Sequence, residues 1–213
     1  MKRTTPLLLC LCAILLVAVT IIGTVAYLQD SAKVVNTFTV GNVQLKLDEA
    51  VVNEKGEPTG GRTEAGNEYH LIPGEAYTKD PTVTVLKGSE ESYVRMLVTI
   101  NCYDKLTAIF GDSFLPQYFV EGWDNAVWVS TEIVSKDEAN NTATYEFRYF
   151  ETVKPEVDAD LVLEALFEII TVPTTMTGEQ MATIADLEIT VEAHAIQAIG
   201  FADADKAWAA FSK

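Results

Sequence analysis

The side chains that could do chemistry are few and scattered. Two histidines occur, His70 and His194, with three cysteines, Cys10, Cys12 and Cys102. A catalytic zinc needs about three protein ligands, commonly two histidines one helical turn apart flanking a glutamate. The chain has no His-Glu-x-x-His pattern and no cluster of Cys and His. His194 shares an alternating face with Glu188, Thr190 and Glu192 and reads as a solvated strand residue. His70 adjoins the Pro73-Gly74 turn and reads as a loop residue. Acidic pairs stand at Asp158/Asp160 and Asp203/Asp205, but the twelve-residue calcium loop with its glycine and terminal glutamate is missing. Asp203 is expected to cap a final helix, where a carboxylate offsets the N-terminal dipole. Tyr118, Trp123 and Trp128 could stack on sugars if exposed; as aromatics of a β-rich chain they are expected in its core. There is no nucleophile elbow, Walker loop or dinucleotide fingerprint. The expectation is a protein with no catalytic residue, no metal and no cofactor.

The clearest local signal is one for processing. Lys2 and Arg3 precede an apolar run from Leu7 to Val25, and no acidic residue occurs before Asp30. That order matches a signal peptide, with Thr24 and Ala26 as the small residues at −3 and −1 and Tyr27 as the new N-terminus. The run is also close to the roughly 20 residues that span a bilayer, so a retained anchor is the competing reading. Cleavage would remove Lys2 and Arg3 and take the net charge from −16 to −18. Such a surface repels nucleic acid and anionic lipid, so nucleic acid is not an expected partner. A membrane is expected only through the uncleaved signal. Cys102 alone survives cleavage, which rules out an internal disulfide and suggests a small buried hydrophobe.

Strands must position whatever this chain does. Val43, Leu45 and Leu47 alternate with polar residues, as do Val83 and Val85. Val94, Met96, Val98 and Ile100 define one face of another strand, with Tyr93, Arg95, Leu97 and Thr99 on its other face. "AVWVSTEIV" and "TATYEFRYF" flank a polar turn near Asn140-Asn141 and predict a hairpin. "LFEIITV" and "LEITVEAHAIQA" predict two more strands. Short helices are expected from Asp104, with that residue near the N-cap, from the capping box Thr177/Gln180, and in the alanine-rich tail. The segment 53–68 has glycine, proline and charge without periodicity and is expected to be a mobile surface loop. The expected fold class is all-β, a jelly-roll β-sandwich with a few short helical insertions. Periodicity alone does not separate a jelly roll from an immunoglobulin-like sandwich.

Three blocks resemble a known family. "GTVAYLQDSAKVVNTFTVGNVQLKLDE", through Ala26, Tyr27, Asn36, Phe38, Gly41, Val43, Leu45 and Leu47, is similar to the start of TasA and camelysin proteins. "LIPGEAYTKDPTVTV" resembles the second family block, and "ITVEAHAIQAIGFADADKAW" the C-terminal one. The region from Lys105 to Asp160 matches no known block. The resemblance implies a jelly roll, processing by a SipW-type signal peptidase, secretion from a Gram-positive-type bacterium, and assembly into biofilm-matrix fibres. Its camelysin side implies the alternative of a surface metallopeptidase. A monomeric surface adhesin is a third reading.

The expected organisation is a signal peptide at 1–26, an N-terminal arm at 27–36 and one sandwich domain at 37–213. The arm, with Tyr27, Leu28, Val34 and Val35 leading to Phe38, could add as a strand to a neighbour's sheet edge. The expected partners are further copies of the chain or related fibre subunits. A plain disordered terminus is the alternative for the arm.

Overall fold

Alternating apolar and polar residues become three antiparallel sheets in the computed structural model, which describes residues 42–111 and 119–211, with backbone alone at 132–134. The strands are β1 (Leu45–Val52), β2 (Pro58–Thr63), β3 (Ala76–Thr78), β4 (Thr82–Val85), β5 (Ser92–Ile100), β6 (Val120–Glu121), β7 (Trp128–Asp137), β8 (Thr142–Tyr149), β9 (Leu161–Val162), β10 (Ile169–Thr171) and β11 (Ile189–Gln197). Three short helices join them: α1 (Tyr103–Phe110), α2 (Gly178–Thr183) and α3 (Ala204–Ala210). The sheet orders are β2-β1-β4-β9, β3-β10-β6 and β11-β5-β8-β7, and every pairing is antiparallel. The fold class is all-β.

One core joins the sheets. The predicted inner face of β5, Val94, Met96, Val98 and Ile100, is buried together with Val83 and Val85 of β4, Tyr145 and Phe147 of β8, and Ile170 of β10. Trp128 is buried too, its Nε1–H donating to the Glu164 carbonyl at 2.9 Å. Trp123 is half-buried and donates to the Trp128 carbonyl at 2.8 Å. Both indoles belong to the core and its margin, as expected of aromatics in a β-rich chain. Cys102 is buried as expected.

The outer face of β5 is covered as well. Arg95 and Leu97 are buried, and α3 lies over this side with Ala207 and Trp208 turned inward. The Arg95 guanidinium sits 4.3 Å from the Trp208 ring centre and 5.0 Å from that of Phe211, and it pairs with Glu146 at 3.2 Å. Cation–π stacking plus a carboxylate satisfies a charge that would otherwise be costly to bury. Asp203 caps α3 as the sequence indicated, accepting from Lys206 N–H at 2.8 Å. The Thr177/Gln180 capping box of α2 is complete.

Three local expectations are corrected. The segment 53–68 is not a loop throughout, since β2 lies within it and pairs with β1. Turn chemistry makes this hairpin: Asn53 Oδ1 accepts from Lys55 N–H at 2.9 Å and Glu57 N–H at 3.0 Å. Gly56 has φ 74°, and a Cβ there would lie 2.6 Å from the Tyr77 ring. Only glycine meets both demands. Secondly, α1 starts one residue before Asp104: Cys102, in the left-handed region, holds the N-cap position, and Asp104 lies near it, as expected, in the first turn. The helix start is satisfied from outside: Asn141, in the β7–β8 turn, accepts from Asp104 N–H at 2.9 Å through Oδ1. Thirdly, His194 is not a solvated strand residue. Its ring stacks on Phe211 at 5.0 Å, because the chain after α3 folds back over β11.

Candidate functional site

Two features stand out, and both depend on β1 and β11. The first is the edge formed by β11. This strand pairs with β5 through nine consecutive residues without a bulge, Ile189 opposite Ile100 to Gln197 opposite Ser92. Near its start, Glu188, Ile189, Thr190 and Val191 wall a cavity of about 300 Å³ whose opposite side includes Leu47 of β1 and the 63–67 segment. The other long edge, β7, is interrupted by two register shifts between Ser130 and Ser135. Bulges of this kind twist an edge away from further pairing. The remaining outer strands β2, β3, β6 and β9 are shorter, and β2 begins with a proline and carries two glycines. Among the described residues β11 is therefore the long, regular edge.

A larger cavity, about 590 Å³, opens between the sheets nearby. Its wall is mainly apolar, with Val98, Ile100, Ile170, Met181 and Ile189 among its residues, and Lys79 and Asn67 stand on both cavities.

The second feature is a polar cluster around β1. The ladder between β1 and β4 ends at Asp48 opposite Thr82, which leaves the next main-chain groups on that side of β1 without a strand partner. Ala50 N–H donates instead to Asp80 Oδ1 at 2.6 Å, and Val52 N–H to Asn67 Oδ1 at 3.1 Å. Asn67 Nδ2 donates to the Ala50 carbonyl at 2.9 Å and to Glu49 Oε1 at 2.7 Å. The other oxygen of Glu49 accepts from Lys79 Nζ at 2.6 Å, and both side chains of this pair are only 8% exposed. Tyr69 closes the cluster, with Lys79 Nζ 5.8 Å from its ring centre and its hydroxyl donating to the Thr78 carbonyl at 3.0 Å. Burial, aided by the Glu49 charge, pushes the Tyr69 hydroxyl well above the ordinary tyrosine range.

On the next residue of β1, Asp48 accepts from Arg62 and pairs with Lys46 at 2.8 Å, while Arg62 also reaches Asp80 at 2.7 Å. Burial pushes the Asp48 carboxyl up. The hydrogen bonds from Lys46 and Arg62 outweigh it and hold the group below the usual carboxylate range.

The residues singled out in the sequence are dispersed differently. Thr24, Ala26, Tyr27, Leu28, Val34, Val35, Phe38 and Tyr118 lie outside the described residues. His70 is exposed in the loop before Pro73, its carbonyl accepting from the Tyr77 hydroxyl at 2.8 Å. Asp158 is exposed, and Asp160 accepts from Lys87 N–H at 2.8 Å. Asp205 pairs with Arg148. Among the described residues no group of three or more His, Cys, Asp or Glu converges for a metal ion. No described helix is long and apolar enough to cross a membrane.

The Glu49–Lys79–Asn67 cluster carries no local sequence signal. Its members come from three separate segments, and only the packing of β1 between β2 and β4 brings them together. Comparison of the chain with protein-family models, curated proteins and solved structures finds no match.

Proposed function

We propose that the chain is a secreted structural protein, a jelly-roll subunit or accessory of an extracellular fibre. In this reading the freed N-terminal arm of one copy adds as a strand to β11 of the next. The observation that carries the reading is the long unbulged β11 beside a groove, since main-chain pairing along such an edge gives affinity without a special sequence.

The Asn42 carbonyl accepts from Glu90 N–H at 3.0 Å, at the end of the sandwich where Gln197 pairs with Ser92. The groove lies beside Leu47 and Glu49, about 20 Å further along β1 at strand rise. Addition of one copy's arm to the β11 edge of the next joins units head to tail, and such addition grows a filament when it does not close. Three antiparallel sheets sharing one core, with the chain passing repeatedly between them, are compatible with the jelly roll.

The test compares purified protein beginning at Tyr27 with protein beginning at Val34. Electron microscopy is expected to find filaments in the first preparation and monomers in the second. Equal filament growth in both would overturn strand addition by the arm.

A further inference from the structure

Lys79, Glu49 and Asn67 supply an amine, a proton carrier and a carboxamide in one hydrogen-bonded line. Lys79 reaches Glu49 from the β4 side of β1, and Asn67 from the segment that follows β2. The two nitrogens thus converge on the two oxygens of a single buried carboxylate, at 2.6 Å and 2.7 Å. The Asn67 carbonyl oxygen already accepts from the Val52 main-chain N–H at 3.1 Å. Lys79 is held at its own backbone, where its N–H donates to the Glu168 carbonyl at 2.9 Å. The arrangement exceeds what a plain ion pair needs, because the carboxamide is gripped at both its oxygen and its nitrogen.

We propose that Lys79 and Asn67 condense into an intramolecular amide, with Glu49 as the acid–base residue. Along the 2.6 Å hydrogen bond that joins them, Lys79 Nζ passes a proton to Glu49, leaving an amine and a carboxylic acid. The amine lone pair attacks Cγ of Asn67 and the Nζ–Cγ bond forms. The carbonyl electron pair moves onto Oδ1, where the Val52 N–H meets the developing charge. Glu49 protonates Nδ2 and removes a proton from Nζ. The Cγ–Nδ2 bond then breaks, the carbonyl reforms and ammonia departs. Ammonia collects the last proton from Glu49, so the lysine ammonium and the asparagine amide become one secondary amide and one ammonium ion. No oxidant or other reagent enters. The product links the segment after β2 covalently to the segment before β4. This modification is independent of whether the protein polymerises.

Tryptic peptide mapping of the purified protein tests it. Trypsin cannot cut after an acylated lysine, so Lys79 and Asn67 are expected within one peptide, 63–87, lighter than its sequence by one ammonia. Lys79→Arg and Glu49→Gln are expected to restore the full mass. Ordinary cleavage after Lys79, with unmodified masses on both sides, would overturn the proposal. So would loss of ammonia with Lys79 still cleavable, which marks a succinimide at an asparagine. The wild-type map decides the matter even if either variant fails to fold.

Discussion

Asp48 shows how one carboxylate makes the hairpin at β1 sensitive to acid. Its side chain is 6% exposed and is held by Lys46 and Arg62. The folded-state value lies below the ordinary 3.8. Its contribution to stability is therefore complete above that value and is lost as pH falls through the lower, folded one. Asp48→Asn is expected to cost about 2 kcal/mol at neutral pH, in the range of hydrogen bonds to charged groups. It should also flatten the loss of stability below about pH 4. Urea unfolding of both proteins at pH 3 and pH 7 checks this, and a difference unchanged between the two pH values would contradict it. Asp48 was legible only as a polar residue alternating with Leu47, because its partner Arg62 lies in a segment without periodicity. Glu49 and Lys79 were equally silent, since an ion pair between a strand and a distant connecting segment leaves no spacing in the chain.

At the scale of elements, α3 acts as a lid on the outer face of the β11-β5-β8-β7 sheet. Trp208 is buried there and carries the Arg95 stack. Trp208→Ala is expected to cost about 3–4 kcal/mol, as for other buried aromatics, and to lower the urea midpoint. Trp208→Phe should cost far less. The indole N–H has no hydrogen-bond partner among the described residues, so its removal forfeits nothing polar. Equal losses for the two variants would mean that a phenyl ring recovers none of the packing and that the full indole is required. The helix itself was readable from its Asp203 cap and alanine content. What it covers was not. Arg95 and Glu146 alternate outward on β5 and β8 like solvated residues, and only docking of the lid makes them a buried pair. The β2 strand was hidden for the opposite reason: Pro58–Thr63 has no apolar residue, and turn geometry with backbone pairing forms it.

The whole molecule is strongly acidic, with a net charge of −16. Copies that approach end to end must overcome this repulsion. Under the fibre proposal, filament growth by protein beginning at Tyr27 is expected to quicken with salt. Screening shortens from about 30 Å at 0.01 M to about 8 Å at 0.15 M ionic strength. Light scattering across that range measures it, and growth that slows with salt would point to attractive charge pairs at the contact instead.

Local patterns in the chain carried the β class, the faces of β5, the Asn141 turn and the caps of α2 and α3. Each depends on neighbours a few residues apart, through period-two alternation or a single side chain bonding nearby backbone. Tertiary structure alone decided that β11 forms a long regular edge beside a groove. It also decided that α3 seals an outer face and that Glu49, Lys79 and Asn67 meet. Strand order and the point where the β1–β4 ladder ends set those relations, and both arise from contacts between segments far apart in the chain. Local pattern is blind to them because alternation reports which face of a strand is covered, never what covers it.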